Sequence, residues 1–137
     1  QIASLLGIEA VKLFLGLSAV ALAIAVGLVL IWPFGAQAAS CPHGSTAVRA
    51  SWYGQESGNR TANGEYFDGT SLTAAMPSRS HLGERYRVTY RGKSVVVRIN
   101  DVGPAAWTGR GIDLSRAAAK RIGFIAAGVG TVCLQRL

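Results

Sequence analysis

The chain has 137 residues, half of them hydrophobic, with 14 Lys and Arg against 7 Asp and Glu for a net charge of +7. That length excludes more than one domain but leaves chain to spare. The apolar residues crowd the first forty positions, while the polar, Gly-rich stretch from Cys41 onward is long enough for a modest core. Lys12 and Glu9 cancel, so the whole net charge belongs to residues 41–137. Such a surface suits an anionic polymer (nucleic acid, anionic lipid or an acidic envelope glycan), or else is a solvated face that aids solubility.

Residues 13–34 carry no charge and are rich in Leu, Ala, Val and Ile. They are long enough for a helix across a bilayer, which needs roughly 20 residues. Ala36-Gln37-Ala38 offers a small-x-small site for cleavage near Ala38, but the apolar run exceeds the roughly 7–15 residues of a signal core. The expected organisation is a membrane anchor or signal segment over 1–35, a linker over 36–47 and an exported domain over 48–137. Cys41 and Cys133 bracket that domain, and an oxidising compartment would join them as a disulfide. The competing reading takes Ala38-Ala39-Ser40-Cys41 as the end of a lipoprotein signal, with Cys41 lipid-modified.

Val48 to Tyr53 reads as a first strand, stopped by Gly54, and alternation puts Trp52 and Tyr53 on opposite faces. Residues 55–69 are rich in Gly, Asn, Ser and Asp and read as a loop. Leu72 to Ala75 is a short strand before Pro77. Arg85 to Tyr90 and Lys93 to Ile99 form a β-hairpin around Arg91-Gly92. The β-branched run that begins at Val95 breaks off at Asn100-Asp101 and enters a Gly-Pro turn. A carboxylate where a buried strand leaves the core is rigidly held and still faces solvent, which makes Asp101 the leading candidate for chemistry. Ile112 to Leu114 pairs briefly, Ser115 caps a short helix from Arg116 to Ile122, and Thr131 to Arg136 closes as a last strand. Five or six short strands with one small helix suggest a closed β-barrel.

In order along the chain, Ala50-Ser51-Trp52-Tyr53-Gly54, Thr61-Ala62-Asn63-Gly64-Glu65, Thr73-Ala74-Ala75, Val95 to Pro104 and Ile112-Asp113-Leu114-Ser115 with Ala117-Ala118-Ala119 resemble the rare lipoprotein A family. The resemblance covers essentially all of residues 48–137. It implies a mainly β fold, a six-stranded double-psi β-barrel with one or two short helices behind the N-terminal hydrophobic segment. It also implies lytic transglycosylase activity on peptidoglycan in the bacterial envelope, the domain being periplasmic and tethered to the membrane, secreted, or lipid-anchored at Cys41. Three departures stand out. The family's Thr-Ala-Ala-His ends here in Met76, whose thioether cannot transfer protons. The following segment is one residue longer and carries His81. The family's Asp-Arg-Gly-Pro-Phe reads Asp101-Val102-Gly103-Pro104-Ala105, with Trp107 two places on.

Cleaving a glycosidic bond means protonating the leaving oxygen and stabilising an oxocarbenium-like centre. In a lytic transglycosylase the muramyl 6-hydroxyl replaces water as nucleophile, so one carboxyl group can serve both proton transfers. Residues 41–137 offer only Glu56, Glu65, Asp68, Glu84, Asp101 and Asp113. Asp101 is the expected acid and base, Glu65 matches the family's functional Glu, and His81 is the stand-in for the missing His. Asp113 falls on a position of the family's pattern but, just before the Ser115 cap, reads as structural. Tyr53 and Trp107 are expected to stack on sugar rings, and Arg98 and Arg110 to meet the lactyl carboxylate of muramic acid. Thr61, Asn63, Thr73 and Asn100 fall in the matched motifs and are assigned with them to substrate binding. No metal site or cofactor is expected, since the two His are distant and no Cys/His cluster exists. The expected partners are peptidoglycan strands, the membrane through residues 13–34, and an envelope or virion assembly if the domain is a structural subunit. A non-catalytic glycan-binding module is the other alternative, and nucleic acid ranks last because the domain is exported.

Overall fold

The computed structural model describes residues 40–137, so the expected anchor over residues 13–34 and the cleavage site near Ala38 lie outside the described residues. Among the described residues no helix is long and apolar enough to cross a membrane. Six strands follow in order: β1 (Thr46–Tyr53), β2 (Thr73–Met76), β3 (Arg85–Tyr90), β4 (Lys93–Val102), β5 (Ile112–Ser115) and β6 (Val129–Arg136). Among the described residues one α-helix, α1 (Arg116–Arg121), sits between β5 and β6. The strands close into a barrel in the order β1-β5-β2-β4-β3-β6. Pairing is parallel between β1 and β5 and between β2 and β4, and antiparallel elsewhere.

Alternation sorts each strand into an inner and an outer face. Ala50 of β1, Ala74 of β2, Val88 of β3, Val95, Val97 and Ile99 of β4, Ile112 and Leu114 of β5, and Val132 and Leu134 of β6 point inward. They form one buried cluster with Ala118, Ala119, Ile122 and Phe124. Ser115 caps α1 as expected, its hydroxyl accepting from the Ala118 N–H at 3.2 Å, and the small alanines let the helix press against the barrel. Cys41 and Cys133 are joined as a disulfide, so the Cys41 sulfur is not free for a lipid. The bridge ties the chain ahead of β1 to β6.

Two strands differ from the sequence expectation in a way that matters. β1 begins at Thr46, because Thr46 and Ala47 pair with Leu134 and Cys133. β4 does not break off at Asn100-Asp101 but runs on to Val102, held by parallel pairing with β2. Between the pairs Ala74–Ile99 and Ala75–Asp101 the register slips by one, leaving Asn100 as the extra residue of a β-bulge. A strict period of two would have put Asp101 on the inner face with Ile99. The bulge turns it outward, to the side of Ala75.

Candidate active site

The bulge completes a row of side chains on the outer face of the barrel. Ser51 pairs with Asp113, Asp113 with Ala75, and Ala75 with Asp101, so the row crosses β1, β5, β2 and β4 at one level. Two strand spacings of about 4.8 Å separate the backbones that carry the two carboxylates, and the methyl group of Ala75 forms a low floor between them. Tyr53 lies two residues beyond Ser51 on the same face of β1. Its ring stacks on Phe67, with centroids 4.8 Å apart and planes 23° from parallel, above Ala75.

Asp101 is anchored on one oxygen. Its Oδ1 accepts from the N–H groups of Ala62 at 2.8 Å and Val102 at 2.9 Å. Both of its hydrogen bonds among the described residues fall on Oδ1, which leaves Oδ2 without a protein partner. Ala62 belongs to a tight turn over residues 61–65. There the Thr61 hydroxyl donates to the Asn63 side chain at 2.6 Å, the Thr61 N–H donates to the Glu65 carbonyl, and Gly64 supplies a φ of +89°. The Arg79 guanidinium holds the same turn by donating to the Ala62 carbonyl at 3.2 Å.

Glu65 fastens that turn to β4. It accepts both terminal nitrogens of Arg98, at 2.7 and 2.8 Å, the Asn100 side-chain amide at 3.0 Å and the Asn63 amide at 2.7 Å. These donors, Arg98 first, hold its carboxyl down at about 2. A carboxylate so fully occupied is anionic at any working pH and is unsuited to giving up a proton. Its chemistry is that of a clamp.

Asp113, read from the sequence as a structural charge beside the cap, takes a different place. The α1 cap is made by Ser115, and the Asp113 side chain turns instead to the outer row, where its Oδ1 accepts from the Ser51 hydroxyl at 2.8 Å. The Arg110 guanidinium donates to the same Ser51 oxygen. Burial raises the Asp113 pKa, against the lowering by Ser51 and Arg110, and the Asp101 charge raises it further. Tyr53 feels both carboxylates as well: burial first, then Asp101 and Asp113, push its phenol far above the ordinary value. Its hydroxyl is therefore neutral, buried and without a hydrogen-bond partner. The pairing of Ala75 with two aspartates could have been found from sequence only by knowing which strands are neighbours.

His81 is placed elsewhere. Its Nδ1 lies 3.0 Å from Glu84 Oε2 and 3.2 Å from the Tyr86 hydroxyl, and Arg136 closes an ion pair on the other Glu84 oxygen. None of these contacts reaches Asp101. Met76 packs in the main core, on the opposite side of β2 from Ala75. Trp107 is 89% exposed on a short 3-10 turn, Ala106–Thr108, in the loop that connects Asp101 to Arg110. A cleft of about 620 Å³ lies against α1 between Gly69, Thr70, Arg116 and Lys120 and does not include the aspartates. Asp101 and Asp113 are only part-buried, so the acid row stands open at the barrel surface.

The pattern that defines lytic transglycolases matches residues 45–134, which is the whole barrel apart from its last residues. This chain belongs to that family. It is 53% identical over 89 residues to a probable endolytic peptidoglycan transglycosylase RlpA of Synechocystis, the match covering 63% of this chain and 27% of the relative. It is 46% identical over 99 residues to the endolytic peptidoglycan transglycosylase RlpA of Vibrio cholerae, covering 69% of this chain and 36% of the relative. The chain thus spans about a quarter to a third of the length of these curated relatives. Among solved structures, a Clavibacter michiganensis expansin superposes with a TM-score of 0.55 at 22% identity, over 68% of this chain and 50% of that one. A Streptomyces papain inhibitor superposes at 0.57 and 20% identity, over 72% and 99%. These likenesses are of fold, the double-psi β-barrel that the motifs implied.

Proposed function

We propose that this domain is the catalytic barrel of a peptidoglycan lytic transglycosylase, which cuts the MurNAc–GlcNAc bond and leaves 1,6-anhydro-MurNAc ends. The observation that carries the reading is the outer row itself, with two part-buried carboxyl groups on either side of Ala75 and the buried phenol of Tyr53 beside them. Asp101, fixed through Oδ1, presents Oδ2 for proton transfer. It protonates the leaving oxygen and then, as carboxylate, takes the proton of the attacking muramyl 6-hydroxyl. Asp113, held by the Ser51 hydroxyl, lies across Ala75 from Asp101 and faces the positive charge that develops on the sugar. Trp107, exposed on the loop after β4, supplies an apolar ring face for the sugar, and Tyr53 backs the row from below.

In this reading Glu65 positions rather than transfers protons, Thr61, Asn63 and Asn100 shape its turn, and His81 serves Glu84. The position held by Met76 is core packing in this chain, so the acid row works without the family's His. Arg110 reaches the groove through Ser51, and Arg98 reaches it through Glu65. The disulfide fits an oxidising compartment, hence an envelope location on the exported side, with tethering through residues 13–34.

The open row and the core-facing Met76 favour one competitor, a module that grips glycan without cutting it. Digestion of purified sacculi with mass analysis of the products separates the two. Anhydromuropeptides that disappear with Asp101→Asn support the catalytic reading. Glycan binding without any anhydro product, unchanged by Asp101→Asn, overturns it.

A further inference from the structure

The barrel has a second wall, and its charge is of one sign. In the closed ring β1-β5-β2-β4-β3-β6, the β3–β6 pair lies across the barrel from the β5–β2 pair at the centre of the acid row. Pairing sets Arg49 of β1 beside Thr131 of β6, Ala47 and Thr89 on either side of Cys133, and Arg87 of β3 beside Gln135. These positions alternate with the inward Ala50, Val88, Val132 and Leu134, so they face out, and Arg85 joins them two residues before Arg87. β1, β3 and β6 contain no Asp or Glu. Arg49, Arg85 and Arg87 are exposed, and none of them makes an ion pair among the described residues; Arg87 donates only to the neutral side chain of Gln135. The Cys41–Cys133 disulfide fixes the entry of the chain in the middle of this wall, between the levels of Arg49 and Arg87. Six residues, 35–40, separate Cys41 from the uncharged run 13–34, a reach of at most about 24 Å.

We propose that this wall is a docking surface for anionic phospholipid headgroups, with Arg49, Arg85 and Arg87 gripping phosphate. The proposal deepens the envelope reading and rests on its tether, because a membrane at the end of so short a linker is the anionic surface nearest to hand. Guanidinium groups take phosphate oxygens in pairs, and each basic residue held at an anionic leaflet strengthens binding by about fivefold. The consequence is orientation. With the arginines down on the lipid, Asp101 and Asp113 lie on the far side of the barrel, clear of headgroups of their own charge and turned toward the glycan. Attraction on one wall and repulsion from the other set the catalytic face without any stiffness in the linker.

The test reads which wall meets lipid. The full chain carries a benzoylphenylalanine photocrosslinker at Thr131, on this wall, or at Ala105, in the loop after Asp101. It is mixed with vesicles of phosphatidylcholine, alone or in equal parts with phosphatidylglycerol, and lipid adducts are counted by mass spectrometry. Adducts are expected from Thr131 and not from Ala105, and only in the mixed vesicles. Arg49→Gln with Arg87→Gln should lower them by about 25-fold, fivefold for each arginine, at an unchanged melting temperature. Arg49→Lys with Arg87→Lys should keep most of them, and salt at about 1 M should remove them. Equal yields at the two positions, yields that ignore phosphatidylglycerol, or yields that survive loss of both arginines overturn the proposal. So does an arginine pair that governs binding to sacculi while no lipid adduct forms. Co-sedimentation with pure phosphatidylcholine vesicles reads the tether separately. A chain that sediments with them but gives no Thr131 adduct in mixed vesicles keeps its tether and loses the docking wall. A chain that fails to sediment with them yet docks on mixed vesicles through these arginines upholds the wall while the tether falls.

Discussion

Two polar clusters in this barrel are built from similar parts and end in opposite states. The first is Asp101, Asp113, Ser51, Arg110 and Tyr53 on the outer row; the second is Glu84, His81, Arg136 and Tyr86. Each joins carboxylate, arginine and tyrosine. In the second, every member is taken: the Tyr86 hydroxyl donates to Glu84 at 2.6 Å, His81 meets the same oxygen and Arg136 the other. Those donors, Tyr86 first, lower the Glu84 pKa, while burial and the Glu84 bond push Tyr86 up to about 12. In the first, the Tyr53 hydroxyl has no partner and Asp101 keeps an oxygen free. Buried polar groups are normally satisfied, so leftover capacity marks where a ligand belongs. A closed network holds the fold together, whereas an open one is available for chemistry.

The contrast breaks most visibly in turnover. Asp101→Asn keeps the shape of the side chain but removes the transferable proton, and the rate of anhydro-end formation should fall by about 10³-fold. The melting temperature should barely change. A loss of stability as large as the loss of rate would place Asp101 with the closed cluster instead.

The two tyrosines give a pair of stability changes with opposite signs. Tyr86→Phe removes a donor from an ionised acceptor and should cost about 1–2 kcal/mol in urea denaturation. Tyr53→Phe removes a buried hydroxyl that bonds to nothing, so stability should stay level or rise by about 1 kcal/mol while cleavage slows. Destabilisation by both would mean that the Tyr53 hydroxyl is satisfied in solution and that the two clusters do not differ as described.

Acid titration shows the smallest effect. Glu65 is lowered from 4.5 to about 2 in the folded chain, so it contributes stability above its unfolded pKa that is lost as pH falls through that window. Glu65→Gln should flatten this part of the stability–pH curve, followed by thermal melts between pH 5 and 2. Asp113 runs the other way: its raised pKa favours the fold at low pH, and that contribution is lost as pH rises through its folded value. Asp113→Asn should therefore improve stability at neutral pH relative to pH 3.5, the reverse of Glu65→Gln.

What the sequence by itself determined was local. The β-branched run of β4, the Arg91-Gly92 hairpin, the Ser115 cap and the opposite faces of Trp52 and Tyr53 all follow from side-chain shape and a period of two or 3.6. Those rules act between near neighbours. The ordered motifs named the family, and through it the barrel and Asp101. What only the tertiary structure decided was which way groups point and what remains unpaired. The Asn100 bulge exists because β4 must pair in parallel with β2, and it alone turns Asp101 out of the core. Asp113 looks like a capping charge until β5 lies between β1 and β2, where it faces Ser51 and lies across Ala75 from Asp101. Glu65 looks like a second acid until Arg98, thirty-three residues away, claims it. A residue's proton affinity and its free valences are set by whatever the closed barrel brings beside it, and partners that distant leave no periodic trace in the chain.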